Sequence, residues 1–206
     1  MQDNKKLIRE KDYIDFMTDM GFSSNLLEGL NLALSKPEYR TMSLDTFYGM
    51  WMKKNNLSEI ICPYNFGVII GELYCGLVFA KENWIDLLPD VLFSDIDDSW
   101  GIKTDKLNYS EKSDPTLRDV VRRIGNSLGH SNFEIELSEI KSCPELFNEA
   151  IINFWDSNIK KPEDTFSISL KICQLKIFYA KFRDVAFKSI LESDGKDVGV
   201  VNVDKM

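Results

Sequence analysis

A short stretch of the chain brings together an arginine, an amide, a hydroxyl and the single histidine of the sequence. On a helix with about 100° per residue, Arg123 and His130 lie only about 20° apart around the axis. Imidazole exchanges a proton near neutral pH, and a guanidinium group can hold two phosphate oxygens. The combination indicates phosphate chemistry. The polar arc of this helix comprises Asp119, Arg123, Asn126, Ser127 and His130.

The remaining residues of the same stretch predict how the helix is held. Asp114 is a candidate N-cap and Pro115 a candidate first residue of a helix that ends near Gly129 or Ser131. A second arc is apolar and is expected to face the core. It comprises Leu117, Val120, Val121, Ile124 and Leu128. Gly125 and Gly129 share a third edge, along which a partner helix could approach closely.

An ordinary structural role is the alternative for these residues. Histidines are common near helix C-termini because the partial negative charge there favours imidazolium, and Asp119 with Arg123 forms a typical i, i+4 pair. The local charge favours phosphate binding, since Arg118, Arg122 and Arg123 contrast with a chain of 25 basic and 33 acidic residues. A net charge of −8 argues against a general nucleic-acid coat protein, so any RNA contact should be local.

Residues 122–135, RRIGNSLGHSNFEI, resemble the signature segment of the HEPN superfamily, an arginine followed after four to six residues by a histidine. The resemblance implies a helical bundle with the motif at the end of a late helix. It also implies pairing of two protomers so that both motifs face one cleft. Many members are metal-independent ribonucleases of toxin, antiviral or RNA-processing systems, and others have lost catalysis. Residues 132–135, followed by short strands and a long helix, resemble a bacterial and plasmid-borne branch.

The resemblance also implies site residues. The catalytic candidates are Arg123, Asn126 and His130, and the substrate-binding candidates are Arg122, Ser127 and Asn132. The commonest motif has its arginine at the position that Gly125 occupies here, whereas Arg123 meets the longer spacing. Arg122 is the reserve candidate. If an arginine at position 125 is essential, the protein is a catalytically silent relative.

The leading hypothesis is an endoribonuclease in which the 2′-hydroxyl of RNA attacks the adjacent phosphate, with no metal or cofactor. His130 would move a proton and Arg123 would neutralise the phosphate. Because the chain has one histidine and the reaction needs an acid and a base, we expect a homodimer through the Arg123–His130 helix. A toxin or defence role, with a possible antitoxin partner, follows from the resemblance alone.

Two other functions stay open. One is a HEPN-like binding module without catalysis, which would hold RNA, a nucleotide or a protein. The other is a structural or regulatory helical protein whose acidic loop, Asp86 to Asp98, docks a basic partner. The basic residues near the last helix predict its solvent face, with guidance of RNA as the alternative reading. They are Lys171, Lys176, Lys181, Arg183 and Lys188.

Apolar periodicity predicts a mainly α-helical bundle with a small β-hairpin or sheet inserted before the last long helix. Helices are expected over residues 23–34, from a Ser43 cap to about residue 52, over 64–88 and over 170–191. Short strands are expected over residues 132–137, 151–155 and 165–169. We expect a single domain over residues 1–192 and a flexible tail over 193–206.

Cysteine and histidine usage bears on compartment and metal content. The four cysteines are dispersed without a C-x-x-C pair, and the chain begins with polar residues, which predicts a reduced, cytoplasmic protein. No apolar run reaches the ~20 residues of a membrane span. With only one histidine, we expect no zinc site.

Overall fold

A computed structural model describes residues 2–58, 65–79, 85–103, 106–136 and 149–193, with the side chains of residues 17 to 189 within these ranges. The chain forms two compact units, one within residues 1–72 and the other within residues 73–206. No helix of the described ranges is both long and apolar enough to cross a membrane. The prediction of one domain over residues 1–192 stays a prediction, and the predicted tail from residue 194 onward lies outside the described residues.

The first unit is helical. It holds α1 (Gln2–Ser35), a 3-10 turn (Pro37–Tyr39), α2 (Leu44–Lys54) and most of α3 (Phe66–Leu73). The predicted cap of α2 is confirmed, since the Ser43 hydroxyl oxygen accepts the N–H of Thr46 at 3.1 Å. Trp51 is buried, and its Nε1 donates to Oδ1 of Asn25 at 2.9 Å, which ties α2 to α1.

The helix predicted over residues 64–88 is not one regular α-helix. Helix α3 continues into a π-helical segment, Tyr74–Phe79, and a 3-10 turn follows at Ile85–Leu87. Close packing accompanies the change, because a Cβ atom on Gly76 would stand 1.9 Å from the ring of Tyr179. Only glycine permits that approach.

The second unit combines helices with a four-stranded antiparallel sheet of order β1-β4-β3-β2. Its strands are β1 (Leu107–Tyr109), β2 (Phe133–Glu136), β3 (Ile151–Asn158) and β4 (Lys161–Lys171), and its helices are α4 (Leu117–Gly129) and α5 (Ile172–Ser193). Two further 3-10 turns, Phe93–Asp95 and Asp98–Trp100, precede β1. The predicted mainly helical fold with a small sheet is confirmed. Strand β1, which pairs with β4 and lies before α4, was not predicted.

Helix α4 packs against β3 and against the π-helical segment. Its predicted apolar arc is confirmed as core, since every member is at most 2% exposed. The predicted N-cap was wrong. Thr116 caps the helix by accepting the N–H of Asp119 at 3.2 Å, and Oδ2 of Asp119 accepts the N–H of Thr116 at 3.0 Å. This capping box satisfies two backbone donors at once, whereas Asp114 accepts the Ser94 hydroxyl instead.

Candidate functional site

The polar arc of α4 is largely covered, unlike the polar face of a typical amphipathic surface helix. Asp119 and Arg123 are each 9% exposed, and Ser127 is completely buried. The covering element is the sheet, against whose strand β3 the helix packs. A polar arc tolerates this environment only when its charges are paired.

Arg123 is paired with carboxylates from two strands. Its Nη1 donates to Oδ2 of Asp156 on β3 at 2.9 Å, and its Nη2 donates to Oδ1 of Asp164 on β4. Its Nε donates to the hydroxyl oxygen of Tyr109 on β1 at 3.3 Å, and the guanidinium carbon lies 5.2 Å from the centre of that ring. Arg123 therefore joins α4 to three strands of the sheet. We call these four residues the Arg123 cluster.

Ion pairing within the Arg123 cluster favours the charged forms of Arg123 and Asp164. Burial disfavours the charged guanidinium, but the bonds to Asp164 and Asp156 outweigh it and raise the pKa of Arg123. The bond from Arg123 in turn lowers the pKa of Asp164. The two carboxylates carry one more negative charge than Arg123 balances, and two amides donate hydrogen bonds to them. Asn126 Nδ2 donates to Asp156 at 3.0 Å, and Asn158 Nδ2 donates to Asp164 at 3.4 Å. The guanidinium fork is thus directed at carboxylates within the protomer.

His130 occupies a different environment at the C-terminal end of α4. It is exposed, and its backbone N–H donates to the carbonyl of Asn126 at 2.9 Å, which makes it the C-cap. Ser131 follows in the left-handed region at φ 54°, and Asn132 donates its N–H to the carbonyl of Ser127 at 2.7 Å. This turn leads into β2 and leaves the imidazole at the surface.

The other candidates divide between interior and surface. The Ser127 hydroxyl donates to the carbonyl of Arg123 at 2.9 Å inside the protomer, whereas Asn126 and Asn132 are half-buried. Arg122 is exposed, and its Nη1 lies 3.7 Å from Oδ1 of Asp119. The structure therefore separates Arg123 and Ser127 from His130 and brings Arg122 to the surface.

Residues spaced by four form one row along the outer surface of α4. The row comprises Arg118, Arg122, Asn126 and His130, and we call it the α4 ridge. Side chains four apart on a helix are neighbours, so an amide and an imidazole follow two guanidinium groups. Arg118 is half-buried and anchored, since its Nε donates to the carbonyl of Leu88 at 2.8 Å.

The two motif glycines do not form one open edge, as the sequence had suggested. Gly125 is buried within the protomer. Gly129 is exposed, and a Cβ atom built on it would meet no other atom within 4 Å. Only the end of the helix is therefore open to a close neighbour.

A family model described as HEPN pEK499 p136 matches residues 6–193, nearly the whole chain. The chain belongs to this HEPN family. The match confirms the predicted superfamily and its plasmid-borne branch. No curated protein and no solved structure matches the chain significantly. In this HEPN chain the motif segment ends a helix and is followed by a strand, as the resemblance implied.

Three residues of the HEPN chain's Arg123 cluster lie outside the motif: Tyr109, Asp156 and Asp164. A signal for the two aspartates exists in the strand alternation. Asp156 shares the inward parity of Ile152 and Phe154, which are buried. Asp164 has the same parity as the buried Phe166 of β4. A carboxylate at an inward position requires a buried cation, and Arg123 supplies it.

Metal ligands and thiols add nothing to this site. Within the described ranges of the HEPN chain, no group of three or more histidine, cysteine or acidic side chains is arranged to hold a metal ion. Cys75 and Cys173 carry free thiols, and Cys62 and Cys143 lie outside the described residues.

Proposed function

We propose that this HEPN protein is an endoribonuclease in which the ribose 2′-hydroxyl attacks the neighbouring phosphate without the help of a metal. One observation carries the proposal. The exposed imidazole of His130 ends a helix whose surface row also holds the exposed Arg122 and the half-buried Asn126. A proton-transfer group and a phosphate-binding cation thus share one accessible face.

Three residues of the α4 ridge, His130, Arg122 and Asn126, have roles in this reaction, and Arg118 anchors the helix. His130 takes the proton of the 2′-hydroxyl or gives one to the leaving 5′-oxygen, a contribution of about 10²- to 10⁴-fold. Arg122 stabilises the charge that builds on the phosphate oxygens. Asn126, oriented by its bond to Asp156, and Asn132 position the phosphate. Arg123, whose donors are directed at Asp156 and Asp164, holds the helix in place rather than the phosphate.

A second copy of the chain completes the proposed site. In-line transfer needs a base on one side of the phosphorus and an acid on the other, and each chain has a single histidine. A twofold dimer along the α4 ridge would bring two imidazoles into one cleft. The open surface at Gly129 favours this approach.

The test is cleavage of a labelled single-stranded RNA in the presence of a chelator. We expect the His130→Ala variant to lose at least about 10²-fold in rate, and Arg122→Ala to lose more than Arg122→Lys. Arg183, exposed on α5 and paired with Asp184, provides the matched arginine control. Equal cleavage by the wild type and His130→Ala would contradict the proposed role of His130.

A non-catalytic binding module is the second candidate, and a specific observation favours it. The motif arginine is directed at two carboxylates, and Gly125 stands where the commonest motif has its arginine. RNA binding by the wild type without any cleavage would decide for this candidate. A toxin or defence setting, an antitoxin partner and a cytoplasmic location belong to the proposal by family analogy only.

A further inference from the structure

Three lysines converge on one open cavity in the second unit. The cavity has a volume of about 510 Å³ and is lined by Lys103 and Lys106, both of which precede β1, and by Lys171 at the end of β4. Ile151, Ser169, Leu170 and Gln174 also line it. In a chain of net charge −8, three lysines thus line one concavity, and the carboxylates paired with two of them are exposed. We call it the lysine cavity.

The side chain of Gln174 holds the lysine cavity together. Its Oε1 accepts the N–H of Lys171 at 2.8 Å, and its Nε2 donates to the carbonyl of Lys103 at 3.4 Å. The carbonyl of Lys106 accepts the N–H of Ser169 at 3.4 Å. The lysines therefore lie on backbone segments that are bonded to one another, and their convergence follows from the fold.

The carboxylates near these lysines are exposed and can yield to a stronger anion. Nζ of Lys171 lies 2.6 Å from Oε2 of Glu149, whose side chain is 68% exposed. Nζ of Lys103 lies 3.7 Å from Oδ1 of Asp98, whose side chain is 93% exposed. Such surface pairs contribute little, so a phosphate can replace them at small cost.

The lysine cavity is separate from the α4 ridge. Through the sheet register, Glu136 at the end of β2 pairs with Ile151, and Ile151 pairs with Lys171. Three residues along β2 and two strand spacings separate Lys171 from Phe133, which follows the His130 turn, by about 14 Å within the sheet. Lys171 also has the strand parity opposite to Asp164, which binds Arg123 of α4, so its side chain is on the other face of the sheet. One phosphate cannot occupy both places.

We propose that the lysine cavity binds backbone phosphates of the single-stranded RNA whose cleaved bond lies at the α4 ridge. The inference rests on the proposed function for the identity of the anion. Its geometry gives it an independent test, because an RNA with a single phosphate cannot use the second site while a longer strand can.

The test compares two triple variants with equal changes in net charge. Lys103→Gln, Lys106→Gln and Lys171→Gln are combined in one, and Lys53→Gln, Lys160→Gln and Lys161→Gln, outside the cavity, in the control. Binding of a labelled 12-nucleotide RNA is measured against salt, with His130→Ala in both backgrounds. For the cavity variant we expect at least tenfold weaker binding and a slope of log K against log salt shallower by about 0.7 per lost phosphate contact.

Kinetics with intact His130 give a second measurement. We expect the cavity variant to raise KM for the 12-nucleotide RNA while kcat stays constant, and to leave cleavage of a dinucleoside monophosphate unchanged. Gln174→Ala should weaken binding of the longer RNA without changing net charge, because it releases Lys103 from Lys171. Circular dichroism is used to check that each variant is folded.

Several results would overturn the inference. If both triple variants weaken RNA binding equally, the effect is due to net charge and not to the lysine cavity. If the cavity variant does not weaken RNA binding, the inference is wrong. Binding of 5′-AMP or inorganic phosphate as tight as that of the 12-nucleotide RNA would assign the cavity to a small anion. RNA binding that depends on these lysines without cleavage would support the cavity and contradict the proposed ribonuclease. RNA cleavage that depends on His130 but not on the lysines would support the proposed ribonuclease and contradict the role of the lysine cavity.

Discussion

Arg122 and Arg123 are neighbours in sequence but occupy opposite environments. Arg123 is 9% exposed between two carboxylates, whereas half of the Arg122 side chain is exposed beside a carboxylate 3.7 Å away. Loss of one partner from a buried pair leaves uncompensated charge, while exposed pairs contribute little. The Arg123 side chain should therefore contribute to the stability of the fold, whereas the Arg122 side chain should contribute mainly to the proposed reaction.

The first prediction separates these roles by unfolding in urea. Arg123→Ala should lower the free energy of unfolding by about 3–5 kcal/mol, because it leaves Asp156 and Asp164 buried without a cation. Arg122→Ala should change it by no more than about 0.5 kcal/mol. Equal losses in the two variants would contradict the different burial of the two side chains.

Asp164 predicts how stability depends on pH. The bond from Arg123 lowers the pKa of the folded carboxyl, while in the unfolded chain it returns to about 3.9. Below about pH 4 the unfolded chain therefore binds more protons, so the free energy of unfolding falls with the pH and is fully retained above that range. In urea titrations between pH 3 and pH 7, Asp164→Asn should be less stable at pH 7 and show a shallower decline in acid. An unchanged acid limb would contradict this assignment.

The stability of α4 depends strongly on the capping box in its first turn. Thr116 and Asp119 satisfy each other's backbone N–H, and Lys112 adds an ion pair to Asp119 at 2.7 Å. Thr116→Ala should lower the free energy of unfolding by about 1 kcal/mol, and Thr116→Ser should preserve most of it. Asp114→Ala, at the position that the sequence favoured as cap, should have the smaller effect. A larger loss at Asp114 would reverse the cap assignment.

Elements that depend on neighbouring residues were predictable, and those that depend on distant pairing were not. Ser43 and Pro37 mark helix boundaries locally, so α2 and the end of α1 followed from the sequence, whereas α1 begins at Gln2, well before the predicted residue 23. Strand β1 has three residues and exists through its pairing with β4, some 60 positions later in the chain, as Leu107 opposite Ile168 shows. The polar sequence around β1 gives no local sign of that pairing.

One part of the candidate site was predictable from local sequence and another part was not. The exposure of His130 at a helix end was predictable from the motif and the length of α4. The burial of Arg123 was not, because its partners Asp156 and Asp164 lie 33 and 41 positions away. A helical wheel treats the polar arc as a solvent face, whereas a sheet carrying inward carboxylates makes that arc an internal interface.

The proposed homodimer can be tested at Gly129. If the α4 ridge pairs with its copy, Gly129→Leu should yield a monomer by light scattering and abolish RNA cleavage while the fold is kept, since space at Gly129 is open. Gly49→Leu is the matched control, because Gly49 lies in α2 and is equally open. It should change neither mass nor activity. A Gly129→Leu monomer with full activity would remove the dimer from the mechanism.

The charge of the chain fits a reaction confined to local sites. A net charge of −8 argues against a general attraction to RNA, and the proposed function therefore confines RNA contact to the α4 ridge and the lysine cavity. Binding should therefore weaken steeply with salt while kcat for bound RNA changes little.

The chemistry of the cleaved ends tests the central claim most directly. The wild type and His130→Ala are incubated, in chelator, with a defined RNA and with the same RNA carrying one 2′-deoxy residue at the cleaved position. The proposed mechanism predicts a 2′,3′-cyclic phosphate and a 5′-hydroxyl from the wild type on the all-ribose strand, and no product from the deoxy strand or from His130→Ala. Cleavage of the deoxy strand at that position, or undiminished cleavage by His130→Ala, would contradict it.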